Sequence, residues 1–341
     1  MYCCLSSAKT IQYKYDVLRV LGLPRGSIVQ FRYRLNLVPE EFLEKLTSSK
    51  TNDRNNLLIA FYDGKSPDSD GDILPCRFGV INSAKIYGSV LVVSIILTDY
   101  CTLPENIMQF GRNLRASGNP PLRPDPEDAE TGVLWTQLPD TSIVASSSSG
   151  REAEDLAWEN IISELAKRED YKDVPMFFRI SEIINTANND SIQCISGIIT
   201  LKSDAEYSVN ILHLSPGSYD HNRRIEFIPP HNLGISTSPT RVSVDSGYDV
   251  KELIFRTNNS RRERAQEEFM YVVGDATSET PVRYALRVRV KSNLLKMIAR
   301  VSLFALALLL ADGAQESMIA GDIIFYLIAA VIALYDSPWS S

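Results

Sequence analysis

Along much of the chain, apolar and polar residues alternate with a period of two, which predicts strands with one face turned inward. The clearest early case is "SIVQFRYRL", where Val29, Phe31, Tyr33 and Leu35 share a face. Turn chemistry at Pro24–Ser27 precedes it. "NLLIAFY" at Asn56–Tyr62 predicts a second strand, and "CRFGVINSAKIYG" and "SVLVVSIIL" add more, with Gly88 as turn or bulge. Such a set packs most naturally as a β-barrel or small β-sandwich, over residues 1–112.

The pattern then lapses. Residues 113–150 include "SGNPPLRPDPEDAETG" and "SSSSG", Pro-rich, acidic and low in complexity, which predicts a linker. Ser149 and Glu152 have capping-box spacing. A helix follows within residues 151–173, with Trp158, Ile161, Ile162 and Leu165 at i, i+3, i+4 and i+7 forming a stripe that packs on a core. From 174 to 290 the period returns to two in "MFFRI", "CISGIITL", "YSVNILHL", "RIEFIPP", "TRVSVD", "KELIFRT", "FMYVV" and "VRYALRVRV". Regular turn spacing again suggests a sandwich or barrel. The expected architecture is mainly β: two β-barrel or β-sandwich domains with a linking helix, each β region folding as its own unit.

Residues 291–341 read differently. Leu294–Ala311 and Met318–Tyr335 are apolar segments of 18 residues each, joined by the short polar "DGAQES". At 1.5 Å per residue each spans about 27 Å, near the hydrocarbon thickness of a bilayer. Val301–Ala311 has only Ser302 as a polar residue, and Ile323–Tyr335 has nothing more polar than Tyr326. A helix that is apolar all round has no solvent face, so a transmembrane hairpin is favoured over a buried one. Lys296 and Arg300 can snorkel to headgroups, and Tyr335 and Trp339 suit an interface. The basic approach from Arg287 to Arg300 and the acidic loop place the preceding domains and the C-terminus in the cytoplasm, with the plasma (inner) membrane as the expected location. Asp322 is costly inside a bilayer, ~2.5–3.5 kcal/mol at its centre, so it either caps a helix starting at Ile323 or meets water or a partner. Ala307 with Ala311, and Ala329 with Ala333, have the small-residue spacing that permits close helix contact, so a homo-oligomer is expected.

Charge and chemistry narrow the picture. The formal net charge is −7, which argues against a general nucleic-acid binder. The five cysteines are scattered and lack metal-ligand spacing; with no apolar leader in "MYCCLSSAKTIQYKY", a reducing compartment is expected. Lipidation at Cys3–Cys4 is disfavoured because no second anchor signal adjoins it. Asp68, Asp70 and Asp72 begin like a calcium loop, but Ile73 and Gly79 stand where the glycine and the bidentate glutamate belong. His213, His221 and His231 have no fixed ligand spacing. No phosphate-binding glycine loop, nucleophile elbow or paired-cysteine zinc site is present, so no enzyme, metal or cofactor is expected. Two basic clusters, Arg223–Arg224 and Arg256 with Arg261, Arg262 and Arg264, are candidates for an anionic ligand, although Glu263, Glu267 and Glu268 lie close enough in sequence to neutralise the second.

A β-rich soluble region followed by a two-helix hairpin resembles, in architecture, the two-helix membrane effectors of bacterial antiviral systems. That resemblance implies a non-catalytic sensor whose soluble part binds a signal or protein partner and whose hairpin acts in the bilayer. The alternative is a membrane-tethered scaffold or binding module.

Overall fold

The computed structural model describes residues 2–7, 11–38, 40–47, 56–62, 73–117, 135–137, 145, 150–215, 223–230, 233–244, 247–258, 267–275 and 281–291. The chain divides into a compact unit, Met1–Val290, and a second, Lys291–Ser341. Both apolar segments of the expected hairpin lie outside the described residues. Among the described residues no helix is long and apolar enough to cross a membrane.

The first unit is mainly β, with three sheets and few helices. The first sheet runs in the order β2 (Ile28–Arg34), β5 (Val90–Tyr100), β4 (Ile73–Tyr87), β3 (Asn56–Tyr62), β1 (Tyr2–Ser7), β6 (Trp135–Gln137). The alternation in "SIVQFRYRL" is realised: Val29, Phe31 and Tyr33 are buried, although Leu35 has already entered a short 3-10 turn. Strand β3 is buried on both faces, as its unbroken apolar run requires. Leu57, Ile59 and Phe61 join the main core, while Leu58, Ala60 and Tyr62 join a second cluster with Leu114 and Phe110 of helix α3 (Ile107–Ser117).

Three features depart from the sequence reading of this region. It is not all-β, since α1 (Ile11–Gly22), α2 (Glu40–Thr47) and α3 belong to it. Its sheet is mixed, with β1 parallel to β3. And part of the expected linker is ordered structure: α3 runs on to Ser117, β6 pairs antiparallel with β1, and Ala145 bridges to Cys101.

Helix α4 (Arg151–Ala166) fills the place predicted for it, with Trp158, Ile161, Ile162 and Leu165 buried. Gly150, rather than Ser149, is its N-cap residue and makes no side-chain cap bond; Ser149 lies outside the described residues.

The remaining strands form two sheets. One runs β14 (Arg241–Ser243), β12 (Arg224–Ile228), β16 (Glu267–Gly274), β17 (Val282–Lys291), β10 (Ile198–Lys202), β9 (Cys194–Ile195). The other runs β13 (Ile235–Thr237), β15 (Gly247–Thr257), β11 (Ala205–Ser215), β7 (Phe177–Asn185), β8 (Asp190–Ser191). They meet through stacked aromatic rings: Phe227 lies 5.5 Å from Phe255, which lies 5.2 Å from Tyr207.

The two β regions were expected to fold as separate units. Instead, one hydrophobic core includes Leu57, Ile59 and Phe61 together with Phe177, Val209 and Tyr284. Helix α1 joins them, touching β1, β2 and β4 on one side and β7 on the other. An amphipathic helix with apolar residues around most of its circumference buries most surface when placed between two sheets.

Candidate functional site

The two β regions are zipped together at a pair of turns. Gly197 donates its N–H to the Gly26 carbonyl at 2.9 Å, and Gly26 donates to the Leu97 carbonyl at 2.8 Å. Both glycines have left-handed backbones, φ 86° at Gly26 and φ 79° at Gly197. Beside them the Ser27 hydroxyl donates to Cys194 Sγ at 3.8 Å. A cavity opens on each side of this zip, one of about 620 Å³ and one of about 540 Å³, with Cys194 and Ile199 lining both.

The smaller cavity contains a buried joint. Arg77 is fully buried and donates Nε to the Thr98 carbonyl at 2.8 Å. Its Nη1 donates to the carbonyls of Val20 at 2.8 Å and Leu23 at 2.6 Å, and to the Tyr100 hydroxyl at 3.2 Å. The Leu21 carbonyl accepts from the Tyr100 hydroxyl at 2.7 Å and from Trp158 Nε1 at 3.0 Å. Three side chains from three elements thus satisfy the carbonyls that the end of α1 leaves without partners. A cation also suits the negative end of the helix dipole. The Tyr100 ring meets two guanidinium groups, 4.2 Å from that of Arg77 and 5.0 Å from that of Arg179. Arg179 pairs with Glu154 at 3.0 Å and with Asp155, Arg25 pairs with Asp99 at 2.6 Å, and Arg151 pairs with Glu182. The positive charge here is taken up internally, so this cavity is a structural joint more than a receptor.

The larger cavity is arranged otherwise. Helix α1 contributes Tyr13, Asp16 and Arg19, spaced by three on one face. Strand β2 contributes Gln30 and Arg32 from the face opposite its buried residues, and Gln30 Nε2 donates to Ser94 Oγ at 3.3 Å. Strands β16 and β17 supply a platform. Register pairs Phe269 with Arg287 and Tyr271 with Ala285, so aromatic and basic side chains alternate on one surface. The Phe269 and Tyr271 rings are 6.5 Å apart, and the Arg283 guanidinium sits 5.5 Å from the Tyr271 ring centre. Arg287 is held by Glu267 at 2.5 Å, and Arg289 pairs with the same carboxylate. Among the described residues Arg32 and Arg283 make no ion pair.

Asp16 is the carboxylate in this lining. Burial pushes its pKa from 3.8 up to about 6, opposed by the nearby Arg19 and Arg32. The folded state therefore favours the protonated acid. Its contribution to stability is fully present below pH about 4, and is lost as pH rises from there to about 6. Asp16→Asn should remove that slope. At pH 7 the variant should be more stable by about 1–2 kcal/mol, a figure reduced for the partial exposure of the site. Thermal unfolding of both proteins across this range checks it; parallel curves would show that Asp16 ionises freely in the fold.

Of the residues singled out from sequence, Arg224 opens β12 and Arg256 lies on β15, in different sheets. Arg223, Arg224 and Arg256 line neither cavity described above, and Arg256 is paired with Glu206 at 2.5 Å. Arg261, Arg262 and Arg264 lie outside the described residues, as do Arg300, Ala307, Ala311, Asp322, Ala329, Ala333 and Trp339, the acidic loop at Asp68–Asp72, and His221 and His231. His213 is buried on β11. Among the described residues no group of three or more His, Cys, Asp or Glu could hold a metal. Cys3 and Cys4 are fully buried in β1, where an acyl chain has no room. Burial pushes the Cys4 and Cys76 thiols up to about 12, so they remain neutral and poor nucleophiles.

The sequence reading did not select Asp16, Arg19, Arg32, Phe269, Tyr271 or Arg283. A signal was present: in "EEFMYVV" and "VRYALRVRV" the polar positions of two adjacent strands carry Phe269, Tyr271, Arg283 and Arg287, large groups that do not serve the core.

No known protein-family model matches the chain, and no curated protein matches its sequence.

Proposed function

We propose that the protein is a membrane-anchored sensor and effector without catalytic activity, whose β-rich body takes a small ligand in the larger cavity and whose C-terminal hairpin acts in the bilayer. One observation carries this reading. Strand β17 lines the cavity through Arg283, Ala285 and Arg287, ends at Lys291, and leads within three residues into the apolar segment that starts at Leu294. A ligand held against β17 acts on the strand that is covalently continuous with the hairpin. A bare tether has no need of that continuity.

The hairpin spans residues 294–335 in this reading, with both ends on the cytoplasmic side of the inner membrane. Two short helices cannot enclose a pore, so permeabilisation requires several copies, packed through Ala307, Ala311, Ala329 and Ala333, with Asp322 facing water or a partner. Such a layout suits antiviral defence by membrane disruption.

The full chain should fractionate with membranes, and a chain ending at Lys291 should remain in the soluble fraction. Induced expression of the full chain should depolarise cells. Ala329→Leu with Ala333→Leu should abolish depolarisation while leaving the chain in the membrane. A full chain that is soluble without detergent ends the proposal. So does a membrane-bound monomer whose double variant behaves as wild type.

A further inference from the structure

We infer that the larger cavity binds a small anion carrying a planar aromatic group, with its charge on a phosphate or a carboxylate. This deepens the sensor reading above and rests on it for biological meaning, although the binding itself does not.

The volume, about 620 Å³, lies in the range of sites for small organic ligands. Four guanidinium groups line it, from Arg19, Arg32, Arg283 and Arg287, against the single carboxylate of Asp16. Asp16 accepts a hydrogen bond from Arg19 at 3.2 Å, and Glu267 takes Arg287. That leaves Arg32 on one wall and Arg283 on another, two planar donors suited to bidentate contact with phosphate or carboxylate oxygens. A cation would meet net repulsion here. A neutral ligand would leave Arg283 without a counter-charge, and Arg32 with only Asp16, which Arg19 already holds.

The aromatic requirement comes from the platform. Phe269 is 52% exposed, on a strand where every other large apolar side chain is at least partly buried. It has no core to fill, and with Tyr271 it presents a ring surface within the cavity. The Arg283 guanidinium lies over Tyr271 in a cation–π contact, which brings a cationic donor to the edge of the ring platform. Ala285 stands opposite Tyr271 and between the two arginines, and its small side chain adds no bulk beside the exposed Phe269 ring. Stacking on such a surface is selective for flatness and tolerant of the ring's identity.

The test is calorimetric titration of the full chain in detergent micelles with four probes: adenosine monophosphate, 4-hydroxybenzoate, adenosine and inorganic phosphate. At least one of the two aromatic anions should bind about ten-fold or more tightly than adenosine and inorganic phosphate, since each of these lacks one of the two recognised features. The nucleotide binding more tightly assigns the charge to phosphate; the benzoate binding more tightly assigns it to carboxylate. Arg283→Gln and Phe269→Ala, both at exposed strand positions, should each weaken binding about ten-fold while keeping the melting temperature. Arg256→Gln, outside the cavity, should leave it unchanged. If neither aromatic anion outbinds adenosine and phosphate, or if both cavity variants bind as wild type, the inference is overturned. A chain that binds but never reaches a membrane loses the sensor reading and keeps this ligand. A chain that depolarises cells yet binds no aromatic anion loses the ligand alone.

Discussion

Replacing Arg77 by methionine should destabilise the fold by about 3–5 kcal/mol, because it strands several buried hydrogen-bond acceptors at once. Methionine approximates the length of the aliphatic stem, so little of the loss comes from a cavity. The cost lies in the acceptors left behind. The carbonyls of Thr98, Val20 and Leu23 all face the guanidinium, and each buried acceptor without a donor costs about 1–3 kcal/mol. Leu21 keeps its two donors from Tyr100 and Trp158 and so adds nothing to the cost. Arg77→Lys retains a cation at the helix end but cannot fork between Thr98 and α1, so it should lose about half as much. Urea unfolding measures both. A loss below about 1 kcal/mol for the methionine variant would mean that water reaches the end of α1 and that the joint is not sealed.

How far this joint was legible in the sequence depends on which residue is considered. The stripe Trp158, Ile161, Ile162 and Leu165 announced a helix that packs on a core, and it does. Strands are legible because period two is a local property: Val29, Phe31 and Tyr33 point inward whatever they meet. Helix α1 was lost because "IQYKYDVLRVLG" carries apolar residues at Val17, Leu18, Val20 and Leu21, a density that alternation does not sort into faces. A helix wedged between two sheets needs that density, and without it in the reading the two β regions look independent. Arg77 was hidden for a related reason. An arginine inside "CRFGV" reads as one exposed position of a strand, and nothing local shows that the end of a helix lies against it.

The larger cavity was hidden in the same way. The basic residues that attracted notice were those adjacent in sequence, such as Arg223 and Arg224. The cavity collects arginines from α1, β2 and β17, one or two from each. Their meeting is a product of tertiary structure. Arg287 and Arg289 belong by sequence to the basic approach to the apolar segments, and both are engaged by Glu267 across the β16–β17 pair.

Alanine at Gly26 should be the most damaging single methyl group added at the zip between the two β regions. A Cβ there would stand 1.7 Å from the Cys194 carbonyl oxygen, a backbone atom that cannot rotate away. The left-handed φ of 86° adds its own penalty. About 1–2 kcal/mol for the backbone and about 1–3 kcal/mol for the overlap give an expected loss of about 2–5 kcal/mol. The turn at Cys194–Gly197 has to retreat, which breaks the 2.9 Å bond from Gly197 to Gly26 and widens the wall that both cavities share. Gly197→Ala carries a similar φ penalty but meets only the Ile28 side chain, at 3.0 Å, and side chains can shift by tenths of an ångström. It should therefore cost about half as much and leave the cavities nearly intact. Chemical unfolding gives the order of the two losses. Hydrogen exchange at the Gly197 amide distinguishes the cause, since it should lose protection in Gly26→Ala while the paired amides of β16 and β17 keep theirs. Equal losses in the two variants would mean that the backbone term dominates, and that the 1.7 Å approach relaxes without separating the turns.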